Sequence, residues 1–246
     1  MAPGEPAVEF RPRRSGSVGV RLEQYFQSKG VAAEAAAALA GSSTLFRHAR
    51  ETGPVDRNAV EIILSGVAFD EGRLWGPGRW LGDLDMFSGS VARSLTEFLC
   101  TTWTIRIPRD VLRSRAMRDL SVQRMLTQVL LDHLRVHDVV YGLDFRPTTA
   151  RLAQLIHHLA HQDPDLVQAR ILPFMEEPMH GPTHRHLAHA LGVSLASIEK
   201  SMRHLRKAGA LASLGKGRAK RAYTILDPDL LHVVASGAVP AVAVEQ

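Results

Sequence analysis

The segment that decides the fold of this chain is THRHLAHALGVSLASIEKSMRHLRKAGALASLGKGRAKRAYTI, residues 183–225. Its first half predicts two short helices joined by a tight turn. Thr183 is suited to cap the first helix, Gly192 to end it in a left-handed conformation, and Ser194 to cap the second. The second helix then carries three apolar residues at steps of three and four: Ile198, Met202 and Leu205. This arrangement predicts a helix-turn-helix.

The second half of the segment predicts a β-hairpin with a basic tip. Two short β-prone runs, residues 211–214 and 223–226, flank a Gly-containing loop. The loop holds four cations: Lys216, Arg218, Lys220 and Arg221. Such a hairpin beside a helix-turn-helix is a wing. We expect its cations to bind double-stranded DNA with an affinity that falls steeply with salt, because binding releases counterions from the duplex.

The second helix of the motif is expected to lie in a major groove. Side chains near the start of such a helix reach base edges, and later ones meet phosphates. We therefore expect Ser197 and Lys200 at or near bases and Arg203 at a phosphate. We also expect the cap residues Thr183 and Ser194 to be among the DNA-binding residues of the two helices.

The charge distribution along the chain agrees with an anionic partner. Residues 181–226 hold nine Lys and Arg against a single acidic residue, Glu199, whereas residues 23–100 hold seven against ten. So uneven a distribution favours a surface for nucleic acid or for an anionic membrane.

Several classes of protein are excluded or disfavoured. No apolar stretch approaches the roughly 18 residues of a spanning helix, and the N-terminus lacks the apolar core of a signal peptide. The single Cys100 cannot form an internal disulfide. We find no nucleophile elbow, Walker loop or Rossmann fingerprint, and the clustered histidines do not share one helix face as metal ligands would. We expect a cytoplasmic protein that is not an enzyme, with no metal and no membrane contact.

The sequence before the helix-turn-helix shows two different patterns in succession. Between residues 60 and 107, short β-prone runs alternate with glycines, which favours a compact β-roll. Residues 110–143 then hold no proline, and no glycine before Gly142, which predicts one long helix. A largely apolar stripe runs along it at steps of three and four: Val122, Leu126, Val129, His133, Val136, Val140 and Leu143. This stripe favours a homodimer that pairs through residues 119–143, and burial within one subunit remains the alternative.

The order of these parts resembles the Crp/Fnr family of bacterial transcription regulators. The most specific segment is LGDLDMF at residues 81–87, followed by Arg93 and Ser94, which is similar to the family's phosphate-binding cassette. The resemblance implies effector contacts at Gly82, Asp83, Arg93, Ser94 and His137. It implies a cyclic nucleotide as the effector, with cyclic AMP, cyclic GMP and cyclic di-GMP as candidates, and RNA polymerase as a further partner.

The chain also departs from the family pattern. Asp83 is one methylene shorter than the usual Glu, and Val136 and His137 stand where cyclic-AMP-binding members offer hydroxyls to adenine. An internal Asp83–Arg93 salt bridge in a roll without a nucleotide is therefore an alternative, so no cofactor is certain. The family's Arg and Glu at the start of the recognition helix are Leu195 and Ala196 here, which predicts a different operator.

The resulting expectation is an α+β chain: a shortened β-roll of the cyclic-nucleotide-binding type, a long dimerisation helix and a C-terminal winged helix-turn-helix. The expected parts are a disordered basic N-terminus (1–20), the effector-like roll (21–110), the dimerisation helix (111–145), the DNA-binding domain (146–232) and a tail (233–246). The expected function is sequence-specific regulation of transcription by a homodimer. The alternative is a cyclic-nucleotide-binding effector or scaffold protein without specific DNA binding.

Overall fold

The computed structural model describes residues 8–10, 17–50, 52–53, 58–82, 96–142, 145–161, 163–171, 179–180, 182–214 and 222–237. These residues form two compact units. The first takes the described residues of Met1–Glu71, Trp75–Arg135 and Gln162–Glu176. The second takes those of Gly72–Leu74, Val136–His161 and Glu177–Gln246.

The helices of the described residues are α1 (Ser17–Ser28), α2 (Ala33–Ser42), α3 (Arg109–Ala116), α4 (Leu120–Val136), α5 (Thr148–Ala160), α6 (Pro164–Ala169), α7 (His184–Leu191), α8 (Leu195–Lys207) and α9 (Pro228–Ala235). A π-helical segment, His137–Tyr141, continues α4. Within the described ranges, none of the helices combines the length and the apolar character that crossing a bilayer requires.

The strands are β1 (Val8–Phe10), β2 (Thr44–His48), β3 (Thr52–Gly53), β4 (Ala59–Ser65), β5 (Ala68–Asp70), β6 (Arg73–Trp75), β7 (Trp80–Leu81), β8 (Thr96–Phe98), β9 (Thr102–Pro108), β10 (Met179–His180), β11 (Leu211–Leu214) and β12 (Ala222–Ile225). They form sheets in the orders β1-β2-β9-β4-β7, β3-β8-β5-β6 and β10-β12-β11. The predicted α+β class, with a β-rich N-terminal part, is confirmed.

The core of the first unit lies between its five-stranded sheet and its helices. Ile105 of β9 stands opposite Leu45 of β2 and Ile62 of β4, so the three side chains share one face of the sheet. This face belongs to the same buried cluster as Leu22 and Phe26 of α1. Burial of these apolar side chains is the main source of stability for the unit.

The other face of this sheet contains a buried ion pair. Glu61 of β4 is fully buried, and one of its carboxylate oxygens accepts two hydrogen bonds from Arg106, over 3.0 and 2.8 Å. Its other oxygen lies 2.7 Å from both His48 Nε2 and the Thr104 hydroxyl. Burial alone would raise the pKa of the Glu61 carboxyl, but the hydrogen bond to His48 and the charge of Arg106 hold that pKa below its usual value. Both carboxylate oxygens of Glu61 are thus satisfied by side chains of the same sheet.

The long helix expected over residues 110–143 is interrupted. Helix α3 ends at Ala116, α4 begins at Leu120, and the last turns are π-helical. The interruption has a local cause: the Asp119 carboxylate accepts hydrogen bonds from the backbone N–H and the hydroxyl of Ser121. A side chain that satisfies free backbone donors in this way starts a new helix rather than continuing the old one.

A short segment from late in the chain completes the core of the first unit. Helix α6 begins after Asp163, whose side chain accepts from the Asp165 N–H. Lys29, in the turn that directly follows α1, lies 2.9 Å from the carboxylate of Asp163 and 2.6 Å from that of Asp165. The apolar residues of this segment join the buried cluster of α1: Leu166, Ala169 and Ile171.

Candidate nucleic-acid interface

Helix α7 starts with the cap that the sequence predicts. The Thr183 hydroxyl accepts a hydrogen bond from the His186 N–H over 3.3 Å, and the His186 ring accepts one from the Thr183 N–H over 3.2 Å. This reciprocal pair satisfies two backbone donors that the first turn of a helix leaves free. The predicted cap role of Thr183 is confirmed.

The turn after α7 depends on glycine. Gly192 has φ 63° and ψ 36°, the left-handed conformation that costs a residue with a Cβ atom more than it costs glycine. The next N–H, that of Val193, donates to the carbonyl oxygen of Ala188 over 3.0 Å. The turn therefore reverses the chain within two residues and places Ser194 at the start of α8.

Helix α8 is amphipathic in the way that a groove-reading helix requires. The Ser194 hydroxyl caps it by accepting from the Ser197 N–H over 3.1 Å. Its buried side chains are Ile198, Ser201, Met202 and Leu205. Its exposed side chains are Leu195, Ala196, Glu199, Lys200, Arg203, His204 and Lys207. The exposed face thus carries Lys200, Arg203 and Lys207, which can contact an anion without disturbing the buried side of the helix.

Neighbouring elements fix the position of the two motif helices. Thr149 of α5 donates to the hydroxyl of buried Ser201 over 3.1 Å. Arg151 of α5 donates to the Leu191 carbonyl oxygen at the end of α7 over 2.8 Å. These bonds run from one helix of the unit to both helices of the motif, so α5 supports the geometry of the turn.

A third support comes from Arg73, which precedes the motif by more than a hundred positions. Arg73 donates to the carbonyl oxygen of Ala190 in α7 over 3.0 Å, and its guanidinium lies 4.8 Å from the centre of the Tyr141 ring. The Tyr141 hydroxyl in turn bonds the backbone N–H and carbonyl of Leu74. Sequence reasoning missed this support, because its partners are far apart in the chain and carry no local signal.

The strands of the predicted wing are paired. β11 and β12 are antiparallel, with Leu211 opposite Ile225 and Ser213 opposite Tyr223, and β10 lies on the other side of β12. The predicted pairing of the two strands is present, with the second strand at Ala222–Ile225 rather than 223–226. The four cations of its tip, Lys216, Arg218, Lys220 and Arg221, lie outside the described residues.

The electrostatics of the motif favour a neutral imidazole beside the basic face. Burial lowers the pKa of His184, and the nearby Arg206 charge lowers it further, while Glu199 acts in the opposite direction. Arg206 itself folds back, since its Nε donates to the Met202 carbonyl oxygen over 3.0 Å. The exposed Lys and Arg side chains of α8 are Lys200, Arg203 and Lys207.

The sequence-predicted DNA contacts fall into two groups. Lys200 and Arg203 are exposed on α8. Ser197 is only half-exposed, and its hydroxyl lies 2.8 Å from that of Ser194. Ser194 and Thr183 are engaged with the backbone as caps, so their side chains have structural roles in this structure.

Few of the predicted effector residues can be described. Gly82 has φ 77°, and its carbonyl oxygen accepts from Arg109 over 3.2 Å. His137 is exposed in the π-helical segment. Asp83, Arg93 and Ser94 lie outside the described residues.

Three histidines cluster at the end of α5 and on α9. The His157 ring is 6.0 Å from that of His161 and 5.6 Å from that of His232, measured between ring centres. Burial, together with these two neighbours, lowers the pKa of His157. Within the ranges that the structure describes, no three His, Cys, Asp or Glu side chains converge in a way that could hold a metal ion.

The class of fold follows from this geometry: α7, the Gly192 turn, α8 and the β11–β12 hairpin form a winged helix-turn-helix. Residues 150–233 match the family described as the Crp-like helix-turn-helix domain. Among curated proteins, none matches this sequence.

Solved structures extend the likeness beyond the matched domain. FixK2 from Bradyrhizobium japonicum has a TM-score of 0.56 and 21% identity, over 78% of this chain and 96% of its own. A Ruegeria pomeroyi protein named for cyclic nucleotide binding has a TM-score of 0.62 and 16% identity, over 89% and 97%. A CRP family transcriptional regulator from Thermus thermophilus, TTHB099, has a TM-score of 0.50 and 20% identity, over 79% and 98%. The predicted resemblance to Crp/Fnr regulators is confirmed, and at these identities the structures show a shared fold.

Proposed function

We propose that this chain is a sequence-specific regulator of transcription that binds double-stranded DNA as a homodimer. The observation that carries the proposal is the face of α8, where Lys200 and Arg203 are exposed on a helix that is capped, buried on its other side and tied to α5. A rigid helix with exposed cations is what major-groove reading requires.

In this proposal the motif residues have separate roles. Lys200 and Ser197 lie at or near base edges, and Arg203 pairs with a phosphate. To contact a base, the Ser197 hydroxyl exchanges its partner Ser194 for the duplex. Thr183 and Ser194 hold the helix starts, and Lys216, Arg218, Lys220 and Arg221 of the wing add phosphate contacts.

The proposed homodimer uses residues 119–143. Val122 and Leu126 of α4 are buried in the core of their own unit, whereas Leu131 and Leu134 are 44% and 50% exposed. Residues three apart share one face of a helix, so these leucines form an apolar face that a second copy of α4 would cover. Two paired subunits would present their α8 helices roughly 34 Å apart, one turn of DNA, on a pseudo-palindromic site.

Light scattering tests this part of the proposal. We expect the double variant Leu131→Arg/Leu134→Arg to be a monomer with weakened DNA binding. Val20→Arg is the matched control, since Val20 is 49% exposed on α1 of the same unit. An unaltered mass for the double variant would contradict pairing through α4.

The effector remains part of the proposal. A cyclic nucleotide in the β-roll, held by Gly82, Asp83, Arg93, Ser94 and His137, would bias the dimer between two arrangements if it binds them with different affinities. The resemblance to the family supports this, as does a structural neighbour named for cyclic nucleotide binding. Calorimetry with cyclic AMP, cyclic GMP and cyclic di-GMP tests it, and the absence of heat with all three would remove the effector from the proposal.

The decisive experiment for the proposed function is selection of bound duplexes from random DNA by the full chain, with and without these nucleotides. We expect enrichment of one pseudo-palindromic sequence. If the bound duplexes show no enriched sequence, sequence-specific binding is contradicted. The proposal places the chain in the cytoplasm, with RNA polymerase as a partner at promoters, and assigns it no enzymatic activity.

A further inference from the structure

The first turn of α8 exposes an apolar side chain. Leu195 directly follows the Ser194 cap and is 39% exposed. The other large apolar residues of this helix are buried, at 1% exposure or less: Ile198, Met202 and Leu205. Leu195 therefore leaves far more of its surface accessible to a ligand than the other three do.

The side chains of residues 194–198 carry no charge, and in the free protein the Ser197 hydroxyl is engaged within the chain. Ala196, the neighbour of Leu195, is exposed and apolar, and the first acidic or basic residue of α8 is Glu199. The Ser197 hydroxyl lies 2.8 Å from the Ser194 hydroxyl, which also accepts from the Ser197 N–H. A ligand approaching the start of α8 thus meets two apolar side chains, and meets Lys200 only in the following turn.

Each base pair presents a different set of groups in the major groove. The C5-methyl of thymine is the apolar group among them, and the rest are hydrogen-bond donors and acceptors. A side chain without donors or acceptors gains nothing from those polar groups, so contact with a methyl group is what can make it prefer one pair to another.

We propose that Leu195, with Ala196 beside it, selects thymine in each half-site through contact with the C5-methyl group. The inference rests on the proposed function, because it assigns a specificity to the same helix. The inference predicts that each half-site of the operator contains a thymine where the first turn of α8 enters the groove. The methyl group of that thymine contributes to affinity.

Replacing thymine by deoxyuridine tests the proposal, because it removes the methyl group and leaves every hydrogen-bonding group in place. The selected duplex is synthesised with deoxyuridine at one thymine of each half-site at a time, and its affinity for the full chain is measured at fixed salt. At one symmetric pair of positions we expect the loss of the methyl to weaken binding about four-fold per half-site, the value of one buried carbon.

Two variants assign the effect to Leu195. Leu195→Ala should bind the thymine and deoxyuridine duplexes equally. Val233→Ala, at a valine that is also 39% exposed but lies on α9 of the same unit, should keep the wild-type preference for thymine.

The outcomes separate this inference from the proposed function. If the protein binds a selected duplex but no deoxyuridine substitution weakens binding, or if Leu195→Ala retains the preference, the inference is wrong and the proposed function stands. If no duplex is bound, the proposed function fails and the inference fails with it.

Discussion

The hydroxyl of Tyr223 donates a hydrogen bond to the carbonyl oxygen of Pro182 over 3.1 Å. Tyr223 lies on β12 of the wing, and Pro182 directly precedes the Thr183 cap of α7. Both residues are buried. Burial raises the pKa of Tyr223 to about 12, against a smaller opposing effect of Arg206, so the hydroxyl keeps its proton at any pH where the protein would be studied. The bond fixes the wing to the start of the helix-turn-helix.

Tyr223→Phe keeps the buried ring and removes the bond. We expect the free energy of unfolding to fall by about 1–2 kcal/mol, because the buried Pro182 carbonyl loses its partner. Thermal unfolding should register this as a decrease in Tm of roughly 2–4 °C per kcal/mol. An unaltered Tm would show that the bond does not hold the wing.

The Ser194 cap should be measurable in the same way. We expect Ser194→Ala to lower the free energy of unfolding by about 1 kcal/mol, because the Ser197 N–H loses its acceptor. Ser194→Asp is the matched control, since Asp caps helices as well as Ser does. Equal losses in the two variants would contradict a capping role.

The ion pairs of Lys29 with Asp163 and Asp165 hold α6 close to the end of α1, and we predict that their loss loosens α6. Lys29→Ala leaves two carboxylates, Asp163 and Asp165, side by side without a counter-charge. We expect a loss of about 1–3 kcal/mol, between the values for exposed and buried ion pairs, and faster hydrogen exchange at residues 163–171.

The control for this change is Arg135→Ala. Its ion pair with Asp132 spans 3.3 Å and is exposed, at 72% and 45% of the two side chains. Loss of such a pair should change stability little. Similar effects of the two variants on residues 163–171 would argue against the proposed role of Lys29.

The His157 cluster predicts a pH dependence near neutrality. Its pKa is lowered in the folded state, by burial and by His161 and His232, so the unfolded chain binds the proton more tightly. The free energy of unfolding is therefore highest above the His157 pKa of the unfolded chain, about 6.5. It decreases as the pH falls through that value towards the lower pKa of the folded state. Chemical denaturation from pH 7.5 to 5 should show a smaller decline for His157→Gln, with His204→Gln, an exposed change on α8, as the control.

The helix-turn-helix could be predicted because its signals are local. Thr183, Gly192 and Ser194 each act on backbone groups within four residues, and the structure shows each of these effects. Local hydrogen bonds and backbone conformations are encoded in short stretches of sequence, so they can be recognised without knowledge of the tertiary structure.

Long-range contacts could not be predicted in this way. Lys29 and Asp163 are 134 residues apart, and nothing near either residue indicates the other. Glu61 did give a signal, since a carboxylate within the apolar run of β4 requires a buried partner. The partner itself, Arg106, is defined only by the pairing of β4 with β9.

The apolar stripe of the long helix shows a different limit. Periodicity indicates which residues share a face, but not what covers that face. Val122 and Leu126 of the predicted stripe are buried against their own unit, whereas Leu131 and Leu134, which lie outside the stripe, are exposed.

Binding of a duplex as a function of salt tests the central claim most directly. For the selected operator, we expect the logarithm of the binding constant to fall linearly with the logarithm of salt concentration. Arg203→Gln should reduce that slope by about one per subunit, because one phosphate contact is lost, while Arg50→Gln, an exposed change in the first unit, should leave it unaltered. Failure of the wild-type chain to bind any duplex at low ionic strength would contradict the assignment of α8 and the wing as a DNA-binding surface.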